Sequence, residues 1–252
     1  MAEPLLRVES LVKRFGALAA TDSASFEVRA GELHALIGPN GAGKTTLIHQ
    51  ISGALRPDAG RIHFDGQDLT ALPMPARVRA GLVRSYQITS VFQRFSVLDN
   101  LRLAVQARRP GAAFWRAAEK DTAARDEALA LLERVGLAER AAQAAGSLAH
   151  GEQRQLEVGL ALAARPRLLL LDEPLAGMGP EESARMVALL QTLRRETTLL
   201  LVEHDMDAVF RLADRITTLV AGRVIVSDTP EAIRAHPEVL RAYLGDELEA
   251  LP

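Results

Sequence analysis

The sequence predicts an α/β fold with a mostly parallel sheet, an antiparallel β subdomain near the N-terminus and an inserted helical subdomain. Short apolar strands alternate with helices beyond residue 150, an order that gives parallel sheets covered by helices. The stretch 5–26 alternates apolar and polar residues between glycine turns, which is typical of strands. The stretch 97–146 is rich in Ala, Leu, Arg and Glu, with apolar residues at helical spacing.

Composition limits the classes of protein that the chain can belong to. With 252 residues, 48% of them apolar and 25% charged, it resembles an ordinary globular protein of one domain. A net charge of −2 and 4% aromatic residues argue against nucleic acid as a partner. Charges at Glu3 and Arg7 and the lack of cysteine favour a cytosolic chain, and no apolar run reaches the length of a membrane span.

The first part of the chain is predicted to contain strands followed by one strand, loop and helix unit. A fully buried strand is expected at Leu33–Ile37, followed by a glycine-rich turn and a helix over 45–55. A hairpin is expected over 61–69, because Asp65-Gly66 is a strong turn dipeptide between apolar residues.

The rest of the chain is predicted to form the helical subdomain and then return to the sheet. We place the subdomain at about 88–155, inside a single domain over 4–245 that is followed by a short acidic tail at 246–252. The later strands are expected at 168–171, 199–202 and 216–220, and the later helices at 152–164, 181–195 and 206–212.

A phosphate-binding loop follows the strand at Leu33–Ile37. Residues 38–45 satisfy G-x-x-x-x-G-K-[ST] in the required position between a buried strand and a helix. Backbone N–H groups and the helix N-terminus attract phosphate oxygens, Lys44 reaches the β- and γ-phosphates, and the Thr45 hydroxyl binds Mg²⁺. The fold is therefore a P-loop NTPase core, with ATP and Mg²⁺ as cofactors. The predicted phosphate-binding residues are Gly38, Pro39, Asn40, Gly41, Ala42, Gly43, Lys44, Thr45 and Thr46.

Two acidic residues follow the leucine run at 168–171. Asp172 is suited to the Mg²⁺ shell, and Glu173 can accept a proton from an attacking water. Alone, such a pair is often a strand end that meets solvent. Together with the P-loop it predicts a nucleotide hydrolase.

The stretch Leu148-Ala-His-Gly-Glu-Gln153, followed by Arg154, resembles the signature motif of ABC-type ATPases, and it precedes Asp172 as in that family. The resemblance spans nearly the whole chain. It implies that Phe15 stacks on adenine, that Gln87 contacts Mg²⁺ or the attacking water, and that His204 is the switch histidine. Each of the three also has an ordinary structural interpretation when it is taken alone.

The resemblance further implies a head-to-tail dimer in which the signature of one subunit covers the ATP of the other. The residues implied to act in trans are Ala149, His150, Gly151, Glu152 and Gln153. The implied partners are integral-membrane permease subunits, a second ATP-binding subunit that is the same or different, and, indirectly, a solute-binding protein. The chain would then be peripheral on the cytoplasmic face of the plasma membrane.

A finer resemblance is to the ATP-binding subunits of branched-chain amino-acid importers, through segments 176–178, 202–206 and 240–245. Two positions depart from the wider family. Ala149 replaces the usual signature serine, and Gly179 stands where aspartate or asparagine is common. We expect hydrolysis to survive both changes.

Three alternatives stay open at this point. A soluble ABC-type ATPase in translation or DNA repair would share the motifs, but it usually carries two such domains or a coiled-coil insertion. A regulatory module that binds ATP with little turnover is suggested by Ala149 and Gly179. A P-loop kinase would leave the signature and His204 without a role.

Overall fold

The computed structural model describes residues 3–85, 91–108 and 121–249, with side chains of the last stretch described to residue 243. Within these ranges the strands are β1 (Leu6–Phe15), β2 (Leu18–Val28), β3 (Leu33–Ile37), β4 (Ala59–Phe64), β5 (Gln67–Asp68), β6 (Leu82–Arg84), β7 (Leu168–Asp172), β8 (Thr198–Val202), β9 (Arg215–Val220) and β10 (Arg223–Asp228). The α-helices are α1 (Lys44–Ser52), α2 (Met74–Ala80), α3 (Val97–Arg108), α4 (Thr122–Arg134), α5 (His150–Ala163), α6 (Pro180–Leu193), α7 (Met206–Leu212), α8 (Pro230–Arg234) and α9 (Pro237–Glu249).

The larger sheet has six strands in the order β10-β9-β3-β8-β7-β6. The pairs from β9 to β6 are parallel, and only β10 pairs antiparallel, with β9. Helices connect the parallel strands, and the strands therefore end at a common edge, where ligands bind in such folds. This sheet confirms the predicted α/β class.

The smaller sheet has four antiparallel strands in the order β2-β1-β4-β5. Asp65 and Gly66 form the turn between β4 and β5 with positive φ of 51° and 76°, as the predicted hairpin requires. The antiparallel β subdomain expected near the N-terminus is therefore present.

Apolar side chains cover both faces of the larger sheet. Along β7, Leu169 and Leu171 pack into one cluster, while Leu168 and Leu170 pack into another on the opposite face. Alternation along the strand sends successive side chains to opposite faces, so a leucine run fits a strand that is buried on both sides. The sheet is thereby fixed between two layers.

Helices α3, α4 and α5 pack together and share one apolar cluster with a face of the larger sheet. Helix α5 extends to Ala163, beyond the predicted limit of the helical subdomain near residue 155, and leads directly toward β7. The subdomain and the core are therefore joined by one continuous helix. The predicted domain limits themselves stay predictions.

Several boundaries differ from the predictions. Helix α1 ends at Ser52 rather than residue 55, because Gly53 adopts a left-handed conformation with φ 82° and caps the helix. Elements β6, α2, β10, α8 and α9 were not predicted as separate elements. Helix α9 runs to Glu249, so the predicted acidic tail begins inside a helix rather than after the last element. None of the helices in the described ranges has the length and apolarity that a membrane span requires.

Candidate active site

The phosphate-binding loop connects β3 to α1 and lies against two other strands. A Cβ on Gly38 would meet the Leu219 carbonyl oxygen of β9 at 2.1 Å, and one on Gly43 would meet the Ala20 carbonyl of β2 at the same distance. Gly43 also has φ 102°, a conformation that a side chain disfavours. Glycine is therefore required at both positions by close backbone packing, in addition to any requirement of a ligand.

Lys44 is buried at the start of α1, and its ammonium points back into the loop. Its Nζ donates hydrogen bonds to the carbonyl oxygens of Gly38 at 2.6 Å and Pro39 at 3.0 Å. Burial of a cation is tolerated only where such acceptors are supplied. The positive charge is consequently held inside the curve of the loop.

A cleft of about 530 Å³ opens beside this loop. Its lining residues are Phe15, Leu18, Ala19, Ala20, Asn40, Gly41, Ala42, Gly43, Lys44, Thr45, Thr46, Glu173 and Ala221. Most of the predicted phosphate-binding residues are therefore brought to one cavity with Glu173. Gly38 and Pro39 lie behind the lining, where their carbonyls bind Lys44.

Phe15 forms an apolar wall of the cleft at the end of β1. It is 52% exposed, and the neighbouring Leu18 is 67% exposed, which is unusual for side chains of this size. Lys13 Nζ lies 5.8 Å from the Phe15 ring centroid and 2.8 Å from Asp58 Oδ1. An exposed aromatic ring at the mouth of a cavity, with Lys13 close to the ring, is suited to stacking against a planar group.

Asp172 ends β7 and is paired with Arg84 of the adjacent strand β6. Arg84 Nη2 lies 2.7 Å from Asp172 Oδ2, and each side chain is 10% exposed. Nearby, burial lowers the pKa of His49, the positive charge of Arg84 lowers it further, and Asp172 acts in the opposite direction. The acidic end of β7 is thus part of a buried charge cluster that the sequence motifs did not show.

Glu173 and His204 approach each other where β7 and β8 end. His204 Nδ1 lies 3.8 Å from Glu173 Oε1, and both side chains are accessible, at 61% and 38% exposure. Glu173 has φ 49°, a left-handed conformation that costs a residue other than glycine about 1–3 kcal/mol. Such a conformation persists only where the surroundings hold it, and it turns the carboxylate toward the cleft.

The predicted signature residues lie at the start of α5 and do not line the described cleft. The Ala149 N–H donates to Glu152 Oε2 at 3.1 Å, and the Gly151 N–H donates to Glu182 Oε1 at the same distance. Burial works to raise the pKa of Glu152, but hydrogen bonds from Arg140 and from the Ala149 N–H outweigh it, and the pKa lies below its ordinary value. The signature is a separate, partly exposed helix N-terminus.

The structure thus brings most of the predicted site together but not all of it. Gln87 lies outside the described residues. Leu18, Ala19, Ala20 and Ala221 line the cleft without having been predicted, because single apolar residues outside a motif give no local signal. Arg84 was equally missed, although its place at the end of a strand beside β7 is a usable signal once the sheet order is known.

Comparisons with known proteins are consistent with this geometry. Residues 21–176 match the ABC transporter family, and residues 223–249 match the family described as branched-chain amino acid ATP-binding cassette transporter. The second match covers β10, α8 and α9. The first match contains the P-loop, the signature and the Asp172–Glu173 pair, and the second contains the C-terminal elements.

Individual relatives extend over nearly the full length. The high-affinity branched-chain amino acid transport ATP-binding protein LivG of Escherichia coli is 40% identical, with 98% of this chain and 100% of that protein covered. The corresponding protein BraF of Pseudomonas aeruginosa is 39% identical with the same coverage. The crystal structure of the ADP conformation of MJ1267, an ATP-binding cassette of an ABC transporter, superposes with a TM-score of 0.87 at 29% identity, over 97% of this chain and all of that one. The predicted family and fold are confirmed: the chain belongs to the ABC transporter ATP-binding family.

Proposed function

We propose that this chain binds Mg-ATP in the cleft beside the P-loop and hydrolyses it to drive an importer of branched-chain or related hydrophobic amino acids. The observation that carries the proposal is the convergence of Lys44, Thr45 and Glu173 on one cavity, with His204 3.8 Å from Glu173. Cationic, hydroxyl and carboxylate groups are what nucleotide hydrolysis requires at a single place.

Nucleotide binding follows from the loop and its surroundings. Backbone N–H groups of the loop and the N-terminus of α1 favour the phosphates, and Lys44 supplies a positive charge within reach of them. Phe15 at the cleft mouth supplies an apolar face for adenine. The base would then lie beside the antiparallel sheet and the phosphates at the end of the parallel one.

The donor set fits Mg²⁺. Thr45 offers a hydroxyl in the cleft, and Asp172 offers a carboxylate at the end of β7, which β8 separates from β3. Hard oxygen donors are the ligands that Mg²⁺ prefers. Gln87 is the third proposed ligand. When bound between these residues, Mg²⁺ would neutralise phosphate charge.

Glu173 is the proposed general base, and His204 positions the reacting groups. Glu173 lines the cleft and is accessible there. The His204 imidazole is close enough to orient either the Glu173 carboxylate or the γ-phosphate. The Arg84 guanidinium lies 2.7 Å from Asp172 Oδ2 and would orient this carboxylate toward the metal.

The site is proposed to be completed by a second ATP-binding subunit. The segment 149–153 lies away from the cleft of its own chain, at a helix N-terminus that favours anions. A head-to-tail dimer would bring it to the nucleotide of the partner. Ala149 cannot supply a hydroxyl there. The Ala149 and Gly151 N–H groups donate to Glu152 and Glu182 in the single chain, so these carboxylates would have to release them before a partner's phosphate could accept from them.

The transport role is supported by LivG and BraF, whose names specify branched-chain amino acid transport and whose full length this chain matches. Integral-membrane permeases, and through them a solute-binding protein, are the proposed partners, at the cytoplasmic face of the membrane. The matched family and C-terminal region favour this function over a P-loop kinase or a soluble ATPase.

The proposal is tested by comparing Glu173→Gln and Lys44→Ala with the unaltered chain. We expect Glu173→Gln to lower kcat about 100-fold or more with ATP affinity retained, since only proton transfer is removed. Lys44→Ala should instead weaken ATP binding, measured by calorimetry. Glu231→Gln, the same charge change on α8, is the control and should alter neither. Equal turnover of Glu173→Gln and the unaltered chain would contradict the assignment.

A further inference from the structure

Glu203 lies between β8 and α7, immediately before His204, and is 1% exposed. A carboxylate that is so thoroughly removed from water is costly unless donors surround it. The leucine-rich strand before it predicts a buried strand end, for which an apolar residue would serve as well. A buried glutamate at this position therefore requires an explanation.

Each carboxylate oxygen of Glu203 accepts a hydrogen bond from a different segment. Oε1 accepts from the Leu175 N–H at 2.8 Å, and Oε2 accepts from the His204 N–H at 3.1 Å. Leu175 belongs to the loop after β7, and His204 belongs to the loop after β8. One side chain thus joins the two loops that carry the proposed base and the proposed switch histidine.

The hydrogen bond from the Leu175 N–H to Glu203 lies next to a residue with a strained backbone. Glu173 has φ 49°, and its N–H donates to the Val202 carbonyl oxygen at 2.9 Å. Two residues later, the Leu175 N–H is held by Glu203. Hydrogen bonds to Val202 and Glu203 therefore hold the backbone at Glu173 and two residues after it. A left-handed conformation persists only where its surroundings hold it in this way.

The role is one of positioning, because Glu203 is not among the residues that line the described cleft. Burial raises the pKa of Glu203, while hydrogen bonds from the Leu175, His204 and Asp205 N–H groups act to lower it. Both carboxylate oxygens of Glu203 can accept hydrogen bonds from N–H groups. A glutamine side chain at this position would offer only one acceptor oxygen.

We propose that Glu203 is a positioning residue for ATP hydrolysis, which holds the Glu173 backbone and His204 in the mutual geometry that turnover requires. This inference rests on the roles proposed above for Glu173 and His204. It predicts that loss of the carboxylate separates the two loops and lowers the rate of the chemical step, with nucleotide binding retained.

The test compares Glu203→Gln and Glu203→Ala in the full-length chain, with kcat and KM for ATP measured separately. We expect kcat to fall about 10- to 100-fold, as a small misplacement of reacting groups does, and KM to stay within about twofold. Glu32→Gln is the matched control, because Glu32 is also a buried carboxylate but binds His34 away from the site. It should leave kcat unchanged even if it lowers stability.

A second measurement does not depend on the folding of any variant. Amide hydrogen exchange in the unaltered chain should show the Leu175 and His204 N–H groups protected. Exchange of both at the rate of an exposed amide overturns the inference, as does an unchanged kcat in Glu203→Gln. If Glu173→Gln and His204→Ala leave kcat unchanged, the proposed roles themselves fail. If those two lower kcat and Glu203→Gln does not, only the role of Glu203 is refuted.

Discussion

At the residue scale, the Arg84–Asp172 pair joins the ends of two neighbouring strands by a buried ion pair beside the proposed metal site. Each side chain is 10% exposed, so neither charge is well solvated. Removal of one partner from a buried pair leaves the other uncompensated, which is far more costly than the loss of a surface pair.

We therefore predict that Arg84→Met lowers the free energy of unfolding by about 3 kcal/mol in the absence of nucleotide. Mg-ATP should restore part of that loss, because a metal ion then faces the same carboxylate. Urea unfolding with and without Mg-ATP measures both effects. Arg167→Met removes an exposed pair with Asp65 and should cost no more than about 1 kcal/mol. Equal losses in the two variants would contradict the prediction.

The parts of the site that the sequence reveals are those carried by consecutive residues. The loop at 38–45 and the pair at Asp172 and Glu173 have fixed spacing because one turn of chain must supply all their groups. Arg84 and Glu203 act through contacts with residues 88 and 28 positions away. Such contacts depend on the order of strands in the sheet, which no local spacing specifies.

At the scale of elements, the N-termini of α5 and α6 are tied together by one carboxylate. Glu182 accepts from the Gly151 N–H at 3.1 Å through Oε1 and from the Gly179 N–H at 3.3 Å through Oε2. Gly151 lies in the first turn of α5, where the N–H has no backbone acceptor within the helix, and Gly179 is the N-cap residue of α6. The signature helix is thereby fixed relative to the loop after β7.

We predict that Glu182→Ala lowers the free energy of unfolding by about 1.5–3 kcal/mol, the usual value of hydrogen bonds to a charged group. Chemical denaturation provides the measurement. Glu181→Ala removes an exposed neighbouring charge from the same helical turn and should change stability by less than about 0.5 kcal/mol. A similar result for both variants would show that Glu182 does not link the two helices.

Some elements were predictable from a local pattern, and others were not. Strand β3 and helix α7 match their predicted limits, because β3 is a mostly apolar run that ends at the glycine-rich loop and α7 begins after the capping residue Asp205. Strand β6 has three residues, and α2 has seven residues beginning beside Pro73. Strand β6 packs on β7 and α1, and α2 packs on β6, and no local sequence pattern shows these contacts.

At the scale of the whole molecule, two aromatic residues form an exposed apolar patch just before the helical subdomain. Phe92 and Phe95 are 58% and 47% exposed, and their ring centroids are stacked 5.4 Å apart. They follow the stretch that contains Gln87 and precede α3 of the helical subdomain. Large exposed aromatic pairs are typical of protein interfaces.

We predict that the double change of Phe92→Ser and Phe95→Ser abolishes recovery of permease subunits with the tagged chain from solubilised membranes. Loss of a central aromatic anchor typically costs about 2 kcal/mol or more of binding free energy. ATP turnover by the purified chain should persist. Leu240→Ser removes a comparably exposed apolar residue from α9 and serves as the control. Undiminished recovery in the double variant would place the permease contact elsewhere.

The inward-pointing lysine of the P-loop has a consequence for ligand choice. The Lys44 ammonium binds the carbonyls of Gly38 and Pro39, so a ligand draws it outward only by offering oxygens that replace those acceptors. A polyphosphate chain extends far enough along the loop to do so. A nucleoside with one phosphate, or none, ends short of the ammonium and leaves the two carbonyls in place. We therefore expect the loop to favour nucleotides that carry a β-phosphate, diphosphates and triphosphates alike, over monophosphates.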